Sequence, residues 1–226
     1  LKTLLWFEPE RVMPGTWPMR STLPMKDNVP GINRSAAFAR YNGSKYGVSL
    51  NLGNPKGVEI ARRLVAWADV VLENFSSGMM ERMGLGYGEL RKVNPGIIMV
   101  SLPMFGHSGS LAKHPGLGSQ LADLVGFGNM TGWPDRPPVS PPGAYTDFIT
   151  PYYAMSALMA ALDYRRRTGK GQYIEVSQYE AGVQFVAPLV MDWFVHGREP
   201  VRTGNQCPGV APHGVYRCRG HERWCA

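Results

Sequence analysis

The run Asp69-Val70-Val71-Leu72-Glu73-Asn74-Phe75 is short, apolar and rich in β-branched residues, and it follows directly on a helical pattern, so it reads as a buried strand. The helix before it opens at Asn54-Pro55, an N-cap with proline in the first helical position, and runs to about Trp67. Ahead of that helix, Val48-Ser49-Leu50-Asn51-Leu52 alternates apolar and polar residues and predicts another strand. Strand, helix and strand of this size make one crossover unit. The pattern recurs: residues 88–93 predict a short helix ended by Asn94-Pro95, and residues 97–102 a further buried strand. Apolar strands alternating with helices predict an α/β protein, a Rossmann-like parallel sheet flanked by helices.

Working outward, residues 4–7 predict a short opening strand, followed by a stretch rich in Pro, Met and Arg with no clear period. The Gly- and Ser-rich loop 103–117 leaves a strand at its carboxyl end, where open α/β sheets place their ligands. Residues 119–127 predict a helix, and the prolines of 133–142 a rigid connector. A long helix over 148–164 has apolar or small residues on nearly every face, among them Ala154, Ala157, Ala160 and Ala161, and is expected to be buried. Arg165, Arg166 and Arg167 suit its negative end, and Gly169 supplies the turn that stops it. A strand over 173–176 and a helix over 179–196 complete a large domain of residues 1–200. Residues 201–226, rich in Gly, Pro, Cys and Arg, read as a linker and the beginning of a smaller domain.

Composition narrows the function classes. With 44% hydrophobic and 18% charged residues, the 226-residue chain can build a substantial core. It carries no apolar run of bilayer length and no signal-peptide pattern, so a cytoplasmic protein without a membrane partner is expected. The net charge of +7 is spread along the chain without basic-aromatic clusters, which argues against a nucleic-acid partner. Cys207, Cys218 and Cys225 interleave with His213 and His221 but form no Cys-x-x-Cys pair, so no metal is expected.

Dinucleotide fingerprints, Walker loops, nucleophile elbows and zinc-protease motifs are missing, and Gly84-Leu85-Gly86-Tyr87-Gly88 does not follow a strand and reads as a turn. What stands out is Asp147, preceded by Gly143-Ala144-Tyr145-Thr146 and opening the long helix. By the ordinary preferences of helix starts it is an N-cap. Alternatively, the positive helix terminus holds it ionised as a weak nucleophile for a thioester carbonyl.

Six further stretches occur in order: Asn42-x-x-Lys45, Ala68 with Asp69-Val70-Val71-Leu72-Glu73-Asn74-Phe75, Met83-Gly84-Leu85-Gly86-Tyr87, Asn94-Pro95-Gly96-Ile97-Ile98, Asp147, and Arg167-Thr168-Gly169-Lys170-Gly171-Gln172. Together they closely resemble the class III coenzyme A transferases, the family of formyl-CoA and carnitine CoA-transferases, from about residue 38 to the chain end. The resemblance implies that Asp147 is the nucleophile, attacking a donor thioester to give an acyl-aspartyl anhydride from which coenzyme A passes to an acceptor carboxylic acid. It implies a coenzyme A site lined by Leu50, Asn51, Leu52, Gly53, Asn74, Phe75 and Ser76 at strand ends, with Arg82 on a nucleotide phosphate. It further implies a homodimer of interlocked chains.

The related acyl-CoA racemases pair this aspartate with a histidine in the preceding loop, where Leu117 and Gly118 stand here, so a two-base proton transfer lacks its second base. Members with a lysine and a tyrosine in that loop are not matched either, since Pro115 and Leu117 stand there, leaving Lys113, His114 and His107 as nearby replacements. Family members begin with a strand and a glycine-containing loop that contacts coenzyme A, whereas this chain starts near the next strand, around Glu8, and is expected to be cut at both ends. The alternatives to a transferase are a racemase or isomerase of the same fold and a non-catalytic coenzyme A-binding fragment.

Overall fold

The computed structural model describes residues 23–31, 33–116, 118–141, 143–207 and 209–226, together with the backbone of 4–6. Four strands form a wholly parallel sheet in chain order: β1 (Leu4–Trp6), β2 (Val70–Glu73), β3 (Ile98–Ser101) and β4 (Tyr173–Glu175). Val70 stands opposite Leu4 on one side and Ile98 on the other, and Val100 opposite Ile174. Parallel strands need crossovers, and crossovers cover both faces of the sheet. The two central strands accordingly lose their solvent: Val70, Val71, Ile98 and Val100 are 0% exposed, each such burial stabilising by about 1.5–3 kcal/mol.

The helices are α1 (Ala36–Tyr41), α2 (Pro55–Trp67), α3 (Met79–Arg82), α4 (Tyr87–Val93), α5 (Gly118–Val125), α6 (Phe127–Met130), α7 (Tyr145–Thr168), α8 (Gln178–Phe185) and α9 (Ala187–His196). A small antiparallel ribbon, β5 (Tyr216–Arg217) with β6 (Trp224–Cys225), closes the chain. Two compact units result: residues 1–6 with 64–226, and residues 7–63. In the smaller unit Met25 bridges to Ser35, whose hydroxyl caps α1 at Phe38, and Arg34 holds the carbonyls of Lys26 and Val29.

In the larger unit, polar side chains fix the turns between elements. The Asn94 amide donates to the carbonyls of Val65 and Ala68 at 3.1 and 2.9 Å, and its oxygen accepts the Gly96 N–H at 3.1 Å. Arg165, read from sequence as a partner for the helix end, reaches the Asp69 carbonyl at 3.0 Å and its carboxylate at 3.1 Å. It thereby ties α7 to the start of β2. Gly171 passes so close to the chain before β3 that a Cβ there would lie 1.9 Å from the Ile97 oxygen.

α7 packs Ala154, Leu158 and Ala161 against Val70, Ile98 and Val100. It ends at Gly169, whose φ of 73° a side chain would resist. The expectation of burial on every face fails, because Tyr152 is 77% exposed, Met159 58% and Met155 57%. The buried stripe is Thr146, Ile149, Thr150, Ala154, Leu158 and Ala161, with Tyr145 and Leu162 partly buried beside it. Two further corrections follow. No strand forms at 48–52: Asn51 accepts the Gly53 N–H on its side chain at 3.0 Å and the Asn54 N–H on its carbonyl at 3.0 Å, which turns the chain directly into α2. The helix expected over 179–196 is two, broken at Val186 where Pro188 starts α9.

Candidate active site

Asp147 does not cap a helix. α7 begins two residues earlier, with Ala144 in the cap position, so Asp147 occupies the first turn and donates its backbone N–H to the Ala144 carbonyl at 2.9 Å. Among the described residues, no hydrogen bond or ion pair engages its carboxylate. Although the residue is exposed, partial desolvation raises its pKa above the ordinary aspartate value, against the helix terminus, which favours the ionised form. A carboxylate made more basic is also a better nucleophile once ionised.

The space around Asp147 depends on small neighbours. A Cβ on Gly118 would lie 2.4 Å from the Ala144 Cβ and 3.0 and 3.1 Å from the two Asp147 oxygens. A Cβ on Gly182 of α8 would lie 2.7 Å from Val125 and 3.2 Å from the Thr146 methyl. Three helices thus converge beside the carboxylate through glycine contacts. Thr146 itself is 0% exposed, and its hydroxyl lacks a partner among the described residues. Pro151, one turn on, brings no N–H to the Asp147 carbonyl. Sequence reasoning named Gly118 only as the residue beside Leu117 and gave no role to Gly182 or Pro151, although the last was visible as a proline inside a helical pattern.

At the carboxyl ends of the strands a second polar group assembles. Glu73 ends β2 at 2% exposure and accepts the Phe75 N–H at 2.8 Å and the hydroxyl of Ser101, itself 0% exposed. Burial raises the Glu73 pKa, with the Ser101 and Phe75 hydrogen bonds and His107 partly offsetting it. His107 bonds Ser101 at 2.7 Å through Nε2 and Ser77 at 3.1 Å through Nδ1, while Glu175 accepts its backbone N–H at 2.6 Å. Burial also pushes the Tyr173 phenol up to about 12. Ser77, Glu81, Tyr87, His107, Tyr173 and Glu175 line a cleft of about 650 Å³.

Of the residues predicted from sequence, the structure places Asn74, Phe75 and Ser76 in the turn that leaves β2, with Asn74 and Ser76 exposed. Arg82 lies exposed on α3 and folds back onto the Ser77 carbonyl at 3.4 Å. Leu50, Asn51, Leu52 and Gly53 belong to the smaller unit, where they form the turn before α2 rather than a strand end, and Leu52 is 6% exposed. His114 stacks edge-on against Phe105 at 5.7 Å. Leu117, Glu8 and Phe7 lie outside the described residues. Among the described residues no three His, Cys, Asp or Glu side chains converge on a metal position, and no helix is long and apolar enough to cross a membrane.

The profile of CoA-transferase family III matches residues 13–226. The chain belongs to that family. It is 35% identical to the succinate–glutarate CoA-transferase of Agrobacterium fabrum over 193 residues, 85% of this chain and 48% of the relative. It is 35% identical to the acetyl-CoA:oxalate CoA-transferase of Acetobacter aceti over 188 residues, 83% of this chain and 48% of the relative. The crystal structure of a CAIB/BAIF family protein from Brucella suis superposes with a TM-score of 0.80 at 34% identity, over 88% of this chain and 53% of that one. The family III chain thus spans about half the length of the curated relatives it matches, and it carries their α/β fold.

Proposed function

We propose that this CoA-transferase family III chain carries the nucleophile and part of the coenzyme A site of an enzyme that moves coenzyme A between carboxylic acids. An Asp147 oxygen attacks the donor thioester carbonyl, the C–S bond breaks, and coenzyme A leaves as the thiolate. The acyl group remains on Asp147 as a mixed anhydride, from which the thiolate and the acceptor carboxylate continue the exchange. The observation that carries this reading is the state of Asp147: an exposed aspartate in the first turn of a helix, raised in basicity by partial desolvation, its carboxylate unengaged among the described residues, with glycine at position 118 leaving it room. A capping role would have engaged the carboxylate; an attacking role needs it free.

In the same reading Asn74, Phe75, Ser76 and Arg82 of the larger unit contact coenzyme A, with Arg82 on a phosphate; Leu50, Asn51, Leu52 and Gly53 are coenzyme A-binding residues of the smaller unit, taken by itself. Strand-end turns are where open α/β sheets hold ligands, which supports the first group. Residues 201–226 begin the smaller domain. The protein acts as an interlocked homodimer, a reading supported by the exposed apolar residues of α7 and α9, Tyr152, Met155, Phe194 and Val195 among them.

Incubation with a panel of acyl-CoA esters and hydroxylamine, followed by peptide mass spectrometry, tests the step directly. An aspartyl hydroxamate at position 147 is expected with the true donor. Asp147→Asn, which keeps the shape and loses the nucleophile, should lower transfer by at least about a thousandfold. Full transfer activity in that variant refutes the mechanism, and solvent deuterium exchange into a 2-methylacyl-CoA without transfer would point to a racemase instead.

A further inference from the structure

Three polar residues stand in one register row at the carboxyl ends of the sheet: Glu73 is opposite Ser101, and Ser101 is opposite Glu175. A carboxylate buried to the depth of Glu73 costs several kcal/mol unless its lone pairs are used. Both oxygens are used. Oε2 accepts the Phe75 N–H and Oε1 accepts the Ser101 hydroxyl.

With Glu73 ionised, the direction of the whole chain is forced. Ser101 has one proton and gives it to Glu73, so its oxygen accepts from His107 Nε2–H at 2.7 Å. A neutral His107 protonated on Nε2 has a bare Nδ1, which accepts the Ser77 hydroxyl at 3.1 Å. The His107 backbone is held in turn by Glu175. One carboxylate therefore grips the turn 74–77 at two points, Phe75 directly and Ser77 at the far end of the chain. Ser77 precedes Gly78, whose φ of 74° leads into α3 and Arg82.

We propose that Glu73 is a positioning residue for the coenzyme A subsite: through Phe75, and through Ser101 and His107 to Ser77, it holds residues 74–77 and the start of α3 in the conformation that binds the donor. The proposal rests on the assignment of Asn74, Phe75, Ser76 and Arg82 to coenzyme A made above. Glu73 touches no reacting atom in this scheme. Its effect is on binding.

Two variants separate positioning from general damage. Glu73→Ala removes both grips and should raise KM for the acyl-CoA about tenfold, the worth of one hydrogen bond to a charged group, with kcat within about threefold. Glu73→Gln keeps an acceptor for Phe75 but offers N–H to Ser101, which reverses the chain. It should restore most of the KM and move the His107 proton from Nε2 to Nδ1, read by 15N chemical shifts of the imidazole. An unchanged KM in folded Glu73→Ala overturns the proposal. If that variant does not fold, the tautomer decides: a His107 that keeps Nε2–H in Glu73→Gln overturns it equally. Titration of wild-type protein with coenzyme A distinguishes the two layers, because absence of binding there removes the coenzyme A assignment while the tautomer measurement still tests the chain.

Discussion

Gly118→Ala adds one methyl group beside Asp147, and its effect follows from three distances. Carbon atoms pack at about 3.5–4.0 Å, and the added Cβ would lie 2.4 Å from the Ala144 Cβ. The Asp147 oxygens, at 3.0 and 3.1 Å, can rotate aside, being the end of a side chain. Ala144 cannot, because its Cβ is fixed by backbone at the start of α7. The first turns of α5 and α7 must therefore separate by roughly 1 Å, the scale of misplacement that costs about a hundredfold in rate, or about 2.7 kcal/mol in the barrier. Overpacking of this kind also destabilises by about 1–3 kcal/mol. The assay is the rate of hydroxamate formation at position 147 in a single turnover, with thermal unfolding measured alongside. Gly88→Ala is the comparison for stability: a Cβ there meets nothing within 4 Å, and an alanine inside α4 should gain up to about 1 kcal/mol. A Gly118→Ala protein that forms the hydroxamate within about threefold of wild type would refute the claim that glycine holds the space for Asp147.

Gly171→Ala places a Cβ 1.9 Å from the Ile97 oxygen and 2.6 Å from its carbonyl carbon; backbone cannot yield as a side chain does, so denaturant unfolding should show a loss of more than about 4 kcal/mol or no folded protein. Burial raises the pKa of both Asp147 and Glu73, so between the ordinary carboxylate value and the raised one the folded protein holds protons that the unfolded chain has released. Folding stability should rise as pH falls through that window, and the cost of desolvating the two charges, larger for buried Glu73 than for exposed Asp147, is complete above it. Thermal unfolding against pH should have a flatter slope there in Asp147→Asn and in Glu73→Gln than in wild type, and an unaltered slope in either would contradict the burial argument for that residue. Transfer itself needs Asp147 ionised, so its acid limb should lie above the usual aspartate range.

The central strands were legible because burial on both faces imposes a composition. Val70-Val71-Leu72 and Ile98-Met99-Val100 cannot be anything exposed, and Asn94-Pro95 and Gly169 mark the ends of α4 and α7 through backbone chemistry that operates within a few residues. Val48 to Leu52 misled because alternation describes where side chains would point in a strand, whereas the Asn51 side chain competes for the backbone and makes a turn. Asp147 misled in a similar way: capping depends on a difference of three residues in where α7 begins, and an aspartate near a helix start fits either position. The Glu73, Ser101 and His107 group was out of reach altogether. Its members are related by strand register and by the return of the loop after β3, neither of which leaves a local period. A single glutamate closing an apolar strand was the one sign of it.

Desolvation raises the pKa of both Glu73 and Asp147, but Glu73 is buried and Asp147 is exposed, and they differ in what answers the charge. Glu73 is met by a backbone N–H, a hydroxyl and, beyond the hydroxyl, an imidazole. A carboxylate so engaged holds structure in place and is a poor nucleophile, because its lone pairs are occupied and its geometry is fixed. Asp147 is exposed and only partly desolvated, and among the described residues no hydrogen bond or ion pair engages its carboxylate. The chain sets this carboxylate in the first turn of α7, where the helix terminus partly favours its charge, and keeps glycine at 118, where a Cβ would crowd both carboxylate oxygens. Such a site is stable only relative to what it is kept for: a carboxylate left unpartnered in the free protein gains its partner when a carbonyl carbon arrives.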